Sequence, residues 1–215
     1  MKKGFTLIEM LVVIGIIMIL MGASVAGYSK MTKSAERAKT QELVSNVATA
    51  LTALFQEEGV WPKRLREQGK TDGQLDKDNA LVLAKHKVFT LSTDNPNNPK
   101  YATKLLGLDQ FGIVTPWAMS AIKRAGNGAS EGTIVGGGSV TVRNHILHFA
   151  LDLDGDGVIE GANVGGESVD IRATAAVWCI GKSGGNKGDP WPYSKGRRKD
   201  DVYSWTYGQT QNVTK

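Results

Sequence analysis

The sequence has 215 residues, of which 41% are hydrophobic and 22% are charged. This balance is typical of a folded protein and excludes a disordered chain. The net charge is +5. Because Lys2 and Lys3 supply two of these charges, the rest of the chain is only mildly basic, and nucleic acid is not an expected partner. Cys179 is the only cysteine, which excludes an intramolecular disulfide.

The first residues join a short basic segment to a long apolar one. An apolar run extends from Phe5 to Ala26 and is interrupted by a single charge, Glu9. As a helix, this run would rise about 33 Å, which suffices to cross a bilayer core of about 30 Å. Because positive charge before an apolar helix keeps the N-terminus in the cytoplasm, the run predicts a single-pass membrane helix. Glu9 then needs a role, since a carboxylate inside a membrane is costly.

The segment Gly4-Phe5-Thr6-Leu7-Ile8-Glu9 resembles the processing signal of type IV prepilins. The resemblance implies a leader at residues 1–4, cleavage by a prepilin peptidase between Gly4 and Phe5, and N-methylation of Phe5. It also implies that Glu9 compensates the new N-terminal amine during assembly. An ordinary signal anchor with a stray Glu9 is the alternative interpretation.

Residues 28–58 show helical periodicity. Apolar residues recur there at steps of three and four, while charged residues take the other positions. The apolar set is Leu43, Val44, Val47, Ala48, Leu51, Leu54 and Phe55. Gly59 is a typical helix end, and Pro62 prevents the helix from resuming. The long helix is therefore expected to have a transmembrane half, 5–27, and an amphipathic half, 28–58, whose stripe packs on a sheet.

The remainder, residues 59–215, predicts a β-rich head. Segments 140–142, 145–152 and 171–180 are rich in β-branched, aromatic and aliphatic residues, which indicates strands. Residues 154–157 form a turn signal between the last two segments. The expected fold class is α+β and pilin-like, with the long helix packed on a small antiparallel sheet.

The C-terminal part resembles the major pseudopilins of type II secretion systems. The similarity lies in the strand at 177–180, the glycine-rich loop that follows, and the ending Asp200-Asp201-Val202-Tyr203-Ser204-Trp205. In the middle of the chain, Thr115-Pro116-Trp117-Ala118 is faintly similar to a family turn of the type Asp-Pro-Trp-Gly. Together with the N-terminal stem, the resemblance covers the first 62 and roughly the last 40 residues.

Two loops are candidate calcium sites. Asp152, Asp154, Asp156 and Glu160 have the spacing of oxygen ligands in a calcium loop, with glycine at the sixth position. The twelfth position is Asn163 where a bidentate carboxylate is expected, and a hairpin turn with solvated carboxylates is the alternative.

The second loop is implied by the pseudopilin resemblance, since that family binds calcium there through two aspartates and backbone carbonyls. The second aspartate corresponds to Asp201, or to Asp200 if the register differs by one residue. Ser183 occupies the first position, where a hydroxyl is a poor replacement for a carboxylate. Asp189 is the nearby carboxylate that could take its place.

An enzyme is not expected. His145 and His148 are three residues apart, which places them on opposite faces of a strand and disfavours a shared metal. The sequence has no nucleophile elbow, phosphate loop or metalloprotease helix.

The resemblance implies a structural subunit that polymerises through its stem helices into a type II secretion pseudopilus and helps export folded proteins. Expected partners are other copies of the chain, a prepilin peptidase, minor pseudopilins and an inner-membrane assembly platform. The expected location is the inner membrane, with the head in the periplasm. A type IV pilus subunit for adhesion, motility or DNA uptake is one alternative. A membrane-anchored periplasmic calcium-binding domain is the other.

Overall fold

The computed structural model describes residues 6–85, 108–109, 111–134, 141–164, 166–181, 201–205 and 210–211. The processing residues Gly4 and Phe5 and the acids Asp189 and Asp200 lie outside these ranges. The chain divides into two compact units, Met1–Ala38 and Lys39–Lys215. The boundary falls within the segment 28–58 that was predicted as the amphipathic half of the helix.

In the first unit, helix α1 begins at Leu7. Its large apolar side chains from Leu7 to Met21 are exposed around the whole circumference of the helix, each to 47% or more. Within the residues that the structure describes, no helix combines the length and the apolar character needed to span a membrane. The predicted span 5–27 includes side chains at 23–27 that lie outside the described set, so it stays a prediction.

The second unit contains the end of α1, which finishes at Glu58. Val44, Val47, Leu51 and Leu54 are completely buried, as expected for one face of a 3.6-residue period. Gly59 ends the helix with φ of 69°, and its N–H donates to the Phe55 carbonyl at 2.8 Å. Glycine adopts this left-handed conformation without a Cβ penalty, so the predicted helix end is confirmed.

Short helices and strands make up the rest of the described part of the second unit. The further helices are α2 (Lys63–Gln68), α3 (Lys77–Lys85) and α4 (Pro116–Ala125), with 3₁₀ helices at Gly126–Gly128 and Val142–His145. The strands are β1 (Gly73–Gln74), β2 (Leu108–Asp109), β3 (Gly112–Ile113), β4 (His148–Leu151), β5 (Ile159–Val164), β6 (Glu167–Ile171), β7 (Ala175–Cys179), β8 (Val202–Tyr203) and β9 (Thr210–Gln211).

The central sheet is antiparallel and has the strand order β1-β4-β7-β8. Every residue of β7 is buried, because both faces of this strand are covered. Val177 and Cys179 join the core cluster that contains the α1 stripe, whereas Ala176 and Trp178 join a second cluster. The alternation follows the two-residue period of a strand. The predicted architecture, an N-terminal helix with a small antiparallel sheet, is confirmed.

The second cluster is closed by a three-stranded sheet of order β5-β6-β9. Its apolar side chains come mainly from the β5–β6 hairpin and include Ile159, Ala162, Val164, Val169 and Ile171. Pairing of β5 with β6 shifts register between Ile159 and Ala162. Trp178 and Trp205 contribute the aromatic part of this cluster, with ring centroids 5.8 Å apart.

Three local predictions were wrong. The predicted strand 171–180 is two strands, because β6 ends at Ile171 and β7 starts at Ala175. At 140–142, Thr141 makes only an isolated bridge and a 3₁₀ helix begins at Val142. The predicted strand 145–152 is shorter, because His145 ends the 3₁₀ helix and β4 spans His148–Leu151. Residues 115–118, which are only faintly similar to a family turn, form the start of α4, with Thr115 as the N-cap and proline in the first turn, a combination that favours helix initiation.

Candidate functional site

At the start of α1, Thr6 and Glu9 bind each other reciprocally. The backbone N–H and the hydroxyl of Thr6 both donate to Oε2 of Glu9 at 2.8 Å. The N–H of Glu9 donates back to the Thr6 hydroxyl oxygen at 3.3 Å. This is a capping box, in which residues three apart satisfy the first N–H groups of a helix. The Glu9 carboxylate is therefore built into the helix end.

No role for Thr6 was predicted from the sequence. The signal for one was present, because threonine followed three residues later by glutamate before an apolar run is the pattern of a capping box. The structure thus adds Thr6 as a residue that positions the Glu9 carboxylate. Glu9 is also the first acidic residue of a helix whose exposed side chains are otherwise apolar as far as Met21.

The acidic loop between β4 and β5 brings three of its predicted ligands together. Ligand oxygens of Asp152, Asp154 and Asp156 lie within 4.8 Å of one another. Asp152 is 3% exposed, and its two carboxylate oxygens accept the N–H groups of Gly155 at 2.7 Å and Gly157 at 2.8 Å. Three carboxylates this close repel one another, and a hard cation with oxygen preference would relieve that repulsion.

The other two residues of this loop pattern lie elsewhere. Glu160 is exposed on β5 and is not part of the three-carboxylate cluster of the described residues. The side-chain oxygen of Asn163 accepts the N–H of Gly166 at 3.1 Å, so it closes the β5–β6 hairpin. Because β5 begins at Ile159, the chain after the loop is extended. A helix, which would return the twelfth position to the cation, does not follow.

A buried tryptophan ties this loop to the end of α1. The indole N–H of Trp61 donates to the carbonyl of Asp152 at 2.6 Å. Trp61 is 5% exposed and stacks on Phe55 of α1, with centroids 4.8 Å apart. The bonded residues are 91 positions apart in the sequence, so local patterns give no signal for this contact.

Of the candidate carboxylates at the second predicted calcium loop, Asp201 is the one that lies among the described residues. Its Oδ1 accepts the N–H of Gly181 at 2.7 Å, and its Oδ2 accepts the Tyr203 hydroxyl at 3.1 Å. Asp201 therefore joins the end of β7 to the start of β8. Burial, together with the nearby Asp201 carboxylate, raises the pKa of the Cys179 thiol, so this thiol stays protonated at neutral pH.

The two histidines have different surroundings. Nδ1 of His148 lies 2.6 Å from a carboxylate oxygen of Asp72, and the His148 ring stacks on Trp178. His145 is completely buried, and within the part of the chain that the structure describes neither ring nitrogen makes a hydrogen bond of good geometry. Burial lowers the pKa of His145 to about 4, while the nearby Ile180 backbone opposes the shift in part.

Comparison with known proteins gives one family model and two relatives. The model for the prokaryotic N-terminal methylation motif matches residues 1–25. The chain is 28% identical over 114 residues to the type IV major pilin protein PilE of Neisseria gonorrhoeae, covering 49% of this chain and 65% of the relative. It is equally similar to a fimbrial protein of Neisseria meningitidis serogroup A, covering 64% of that protein.

The chain thus spans slightly less than two thirds of the length of either curated relative. No solved structure matches significantly. The matches include no type II pseudopilin among the proteins named, so they support the broader class only. The chain therefore carries the N-terminal methylation motif of type IV pilin-like proteins and is similar to two pilus proteins over about half of its length.

Proposed function

We propose that this protein is the structural subunit of a type II secretion pseudopilus, which polymerises through its N-terminal helices and helps export folded proteins. The observation that carries the proposal is the first unit. There, an all-round apolar helix is exposed from Leu7 to Met21 and starts with one carboxylate held by Thr6. A surface of this kind requires lipid or neighbouring helices to cover it.

The assembly step follows from charge. After cleavage between Gly4 and Phe5, the new N-terminal amine of Phe5 lies about one helical turn from Glu9. In a filament, the amine of an incoming subunit meets Glu9 of its neighbour. Apolar surroundings favour this pair strongly over two isolated charges. The pair also sets the axial register, which apolar side chains alone do not fix in a lipid environment.

Glu9→Leu and Glu9→Gln together test this mechanism. Glutamine can still complete a capping box but carries no charge. Leucine can neither complete a capping box nor carry a charge. We expect both variants to be cleaved and inserted normally, and both to lose filaments and export. The measurements are filament yield and secreted cargo at matched membrane levels, with intact mass showing Phe5 as the first residue.

Each other outcome identifies another role for Glu9. If Glu9→Gln assembles and Glu9→Leu does not, the carboxylate acts as a helix cap and the charge pair is wrong. If both variants assemble normally, Glu9 has no part in assembly. If neither the wild type nor the variants form filaments, the membrane-anchored calcium-binding domain becomes the better proposal.

A type IV pilus subunit for adhesion, motility or DNA uptake is the second candidate. Both named relatives are described as pilus proteins, one as a type IV major pilin and the other as a fimbrial protein. The resemblance to the pilin family implies that pilus subunits usually carry a C-terminal disulfide. Because this chain has a single, buried cysteine, it cannot form that disulfide, which favours the secretion candidate. Deleting the gene separates the two candidates. Loss of surface filaments with intact secretion would support the pilus.

The remaining assignments depend on this assembly function. The partners are other copies of the chain, a prepilin peptidase, minor pseudopilins and an inner-membrane assembly platform. The subunit is held in the inner membrane by residues 5–27, with its head in the periplasm. No catalytic step is assigned to it. Photo-crosslinking from Ile14 to a second copy in intact cells would test the stem contact.

For the head, we propose that Asp152, Asp154 and Asp156 bind calcium. The support is the three-carboxylate cluster and the preformed backbone, in which Asp152 already accepts two N–H groups. The bound ion would neutralise the loop and fix its conformation. Asp201, with Asp189 and Asp200, is the second proposed site.

Thermal unfolding of the full chain in detergent, with calcium or with a chelator, tests both sites. A ligand at a hundred times its dissociation constant adds about 2.7 kcal/mol to stability. Asp156→Asn should remove the calcium-dependent shift of the first loop, and Asp201→Asn that of the second. Asp72→Asn, outside both loops, is the matched control. Equal midpoints for the wild type with and without calcium would contradict both sites.

A further inference from the structure

His145 lies at the junction that attaches α4 to the rest of the head. Its backbone carbonyl accepts the N–H of Thr115 at 3.1 Å, and the neighbouring Leu147 N–H donates to the Ile113 carbonyl at 2.9 Å. Between these bonds, Val114 bridges Ile146. This short ladder pairs residues 113–115 with 145–147 immediately before α4 begins.

The His145 side chain is turned into the core beside α4. Its ring meets Trp117, in the first turn of the helix, edge-on at a centroid distance of 6.2 Å. The imidazole is completely buried, and among the described residues neither ring nitrogen has a hydrogen-bond partner of good geometry. A neutral ring tolerates this position, whereas a protonated one would bury an uncompensated charge.

Among the described residues, no carboxylate pairs with the His145 ring. A positive charge there would lie beside the N-terminus of α4, where the helix dipole is also positive. The charged side chains of α4, Lys123 and Arg124, are exposed in its last turn, and Arg143 is exposed in the 3₁₀ helix of His145. Towards β7, the titratable groups are the buried Cys179 thiol and Asp201, whose oxygens accept Gly181 and Tyr203.

We propose that His145 is an acid-sensitive latch, whose protonation releases α4 and the 113–115/145–147 ladder from the head before the remaining sheet unfolds. The charge acts where α4 is attached, while the β5–β6 hairpin packs in the separate second cluster. Mild acid would therefore open one element of the head. The latch would let a pilin-like head expose the apolar face of α4, including Ala121 and Ile122, as pH falls.

The direction with pH follows from proton linkage. The folded pKa of about 4 lies below the ordinary value of 6.5, so the open state binds more protons between these values. Stability of the latch is complete above pH 6.5 and declines as pH falls towards 4. From these two pKa values, opening of α4 should become about 30-fold more favourable between pH 7.5 and pH 5.

Hydrogen exchange with mass spectrometry tests the latch on the full chain in detergent. Protection factors, corrected for the intrinsic exchange rate at each pH, are compared between peptides covering α4 and peptides covering β5–β6. In the wild type, α4 should lose about 30-fold protection between pH 7.5 and pH 5, with little loss in the hairpin. His145→Leu and His145→Phe should abolish this difference, and His148→Gln should retain it.

Two results would overturn the latch. One is a parallel loss of protection in α4 and the hairpin of the wild type, which needs no variant to interpret. The other is an unchanged pH response of α4 in a folded His145→Leu or His145→Phe protein. Either result would assign acid sensitivity to groups elsewhere in the head.

Discussion

Trp61→Phe should destabilise the head through one buried hydrogen bond. Phenylalanine can keep the stacking with Phe55 but cannot donate to the Asp152 carbonyl, which the Trp61 indole reaches at 2.6 Å. Since Asp152 is 3% exposed, water cannot easily replace the lost donor. An unsatisfied buried acceptor costs about 1–3 kcal/mol, and the smaller ring adds about 1 kcal/mol of lost packing.

The expected loss in the free energy of unfolding is thus about 2–4 kcal/mol. At about 2–4 °C for each kcal/mol in a head of this size, the melting midpoint should fall clearly. The assay is urea and thermal unfolding of the full chain in detergent with a chelator present, so that calcium does not contribute. Val60→Ala is the matched control, because Val60 adjoins Trp61 but is 65% exposed. A Trp61→Phe protein within 0.5 kcal/mol of the wild type, roughly the range of neutral surface changes, would refute this reasoning.

Three further experiments test the packing of the head. Leu51→Ala empties a completely buried position on α1 and should cost about 2–5 kcal/mol in urea unfolding, while Thr49→Ala on the exposed side should be near neutral. Gly112→Ala should prevent stable folding, judged by circular dichroism, because Gly112 has φ of 123° and an added Cβ would collide with the Leu75 carbonyl. Cys179 should react with thiol reagents only in urea, because it is buried and its pKa is raised. Rapid labelling of Cys179 in the native protein would contradict the burial of β7.

The long helix was predictable because its determinants are local. The apolar stripe through Val44, Val47, Leu51 and Leu54 repeats at helical spacing, and these residues are the ones that the core buries. Gly59 and Pro62 marked the end for conformational reasons that need no knowledge of the fold. Both signals act within a few residues, which is the distance over which sequence patterns are informative.

The β5–β6 hairpin was not predicted, although it closes the second cluster. Gly161 lies within β5, where it weakens the strand propensity and adopts a positive φ of 62°. Gly166, with φ of 95°, lies in the turn before β6. The register shift between Ile159 and Ala162 also interrupts the alternation that identifies a half-buried strand. Tertiary packing on β4 and β7 selects this hairpin, and a single sequence does not display that packing.

The acidic loop was predictable in part. The spacing of Asp152, Asp154 and Asp156 correctly indicated that their oxygens converge, because a tight loop joins them. Asn163 could not be placed, since its position depends on whether a helix or a strand follows the loop. The hydrogen bond from Trp61 to Asp152 could not be predicted from the sequence, because it depends on how the end of α1 packs on the sheet.

The local contact of Glu9 with Thr6 is compatible with the assembly role that we propose for this carboxylate. Both Thr6 donors bind Oε2, and among the hydrogen bonds of the described residues none ends on Oε1. A carboxylate has about four acceptor sites, so an amine from a neighbouring subunit can bind Glu9 without displacing Thr6. The cap and the positive helix N-terminus lower the cost of carrying the charge in an apolar helix before assembly. Only the amine pair needs the negative charge, since glutamine can cap, and this is why Glu9→Gln separates the two roles.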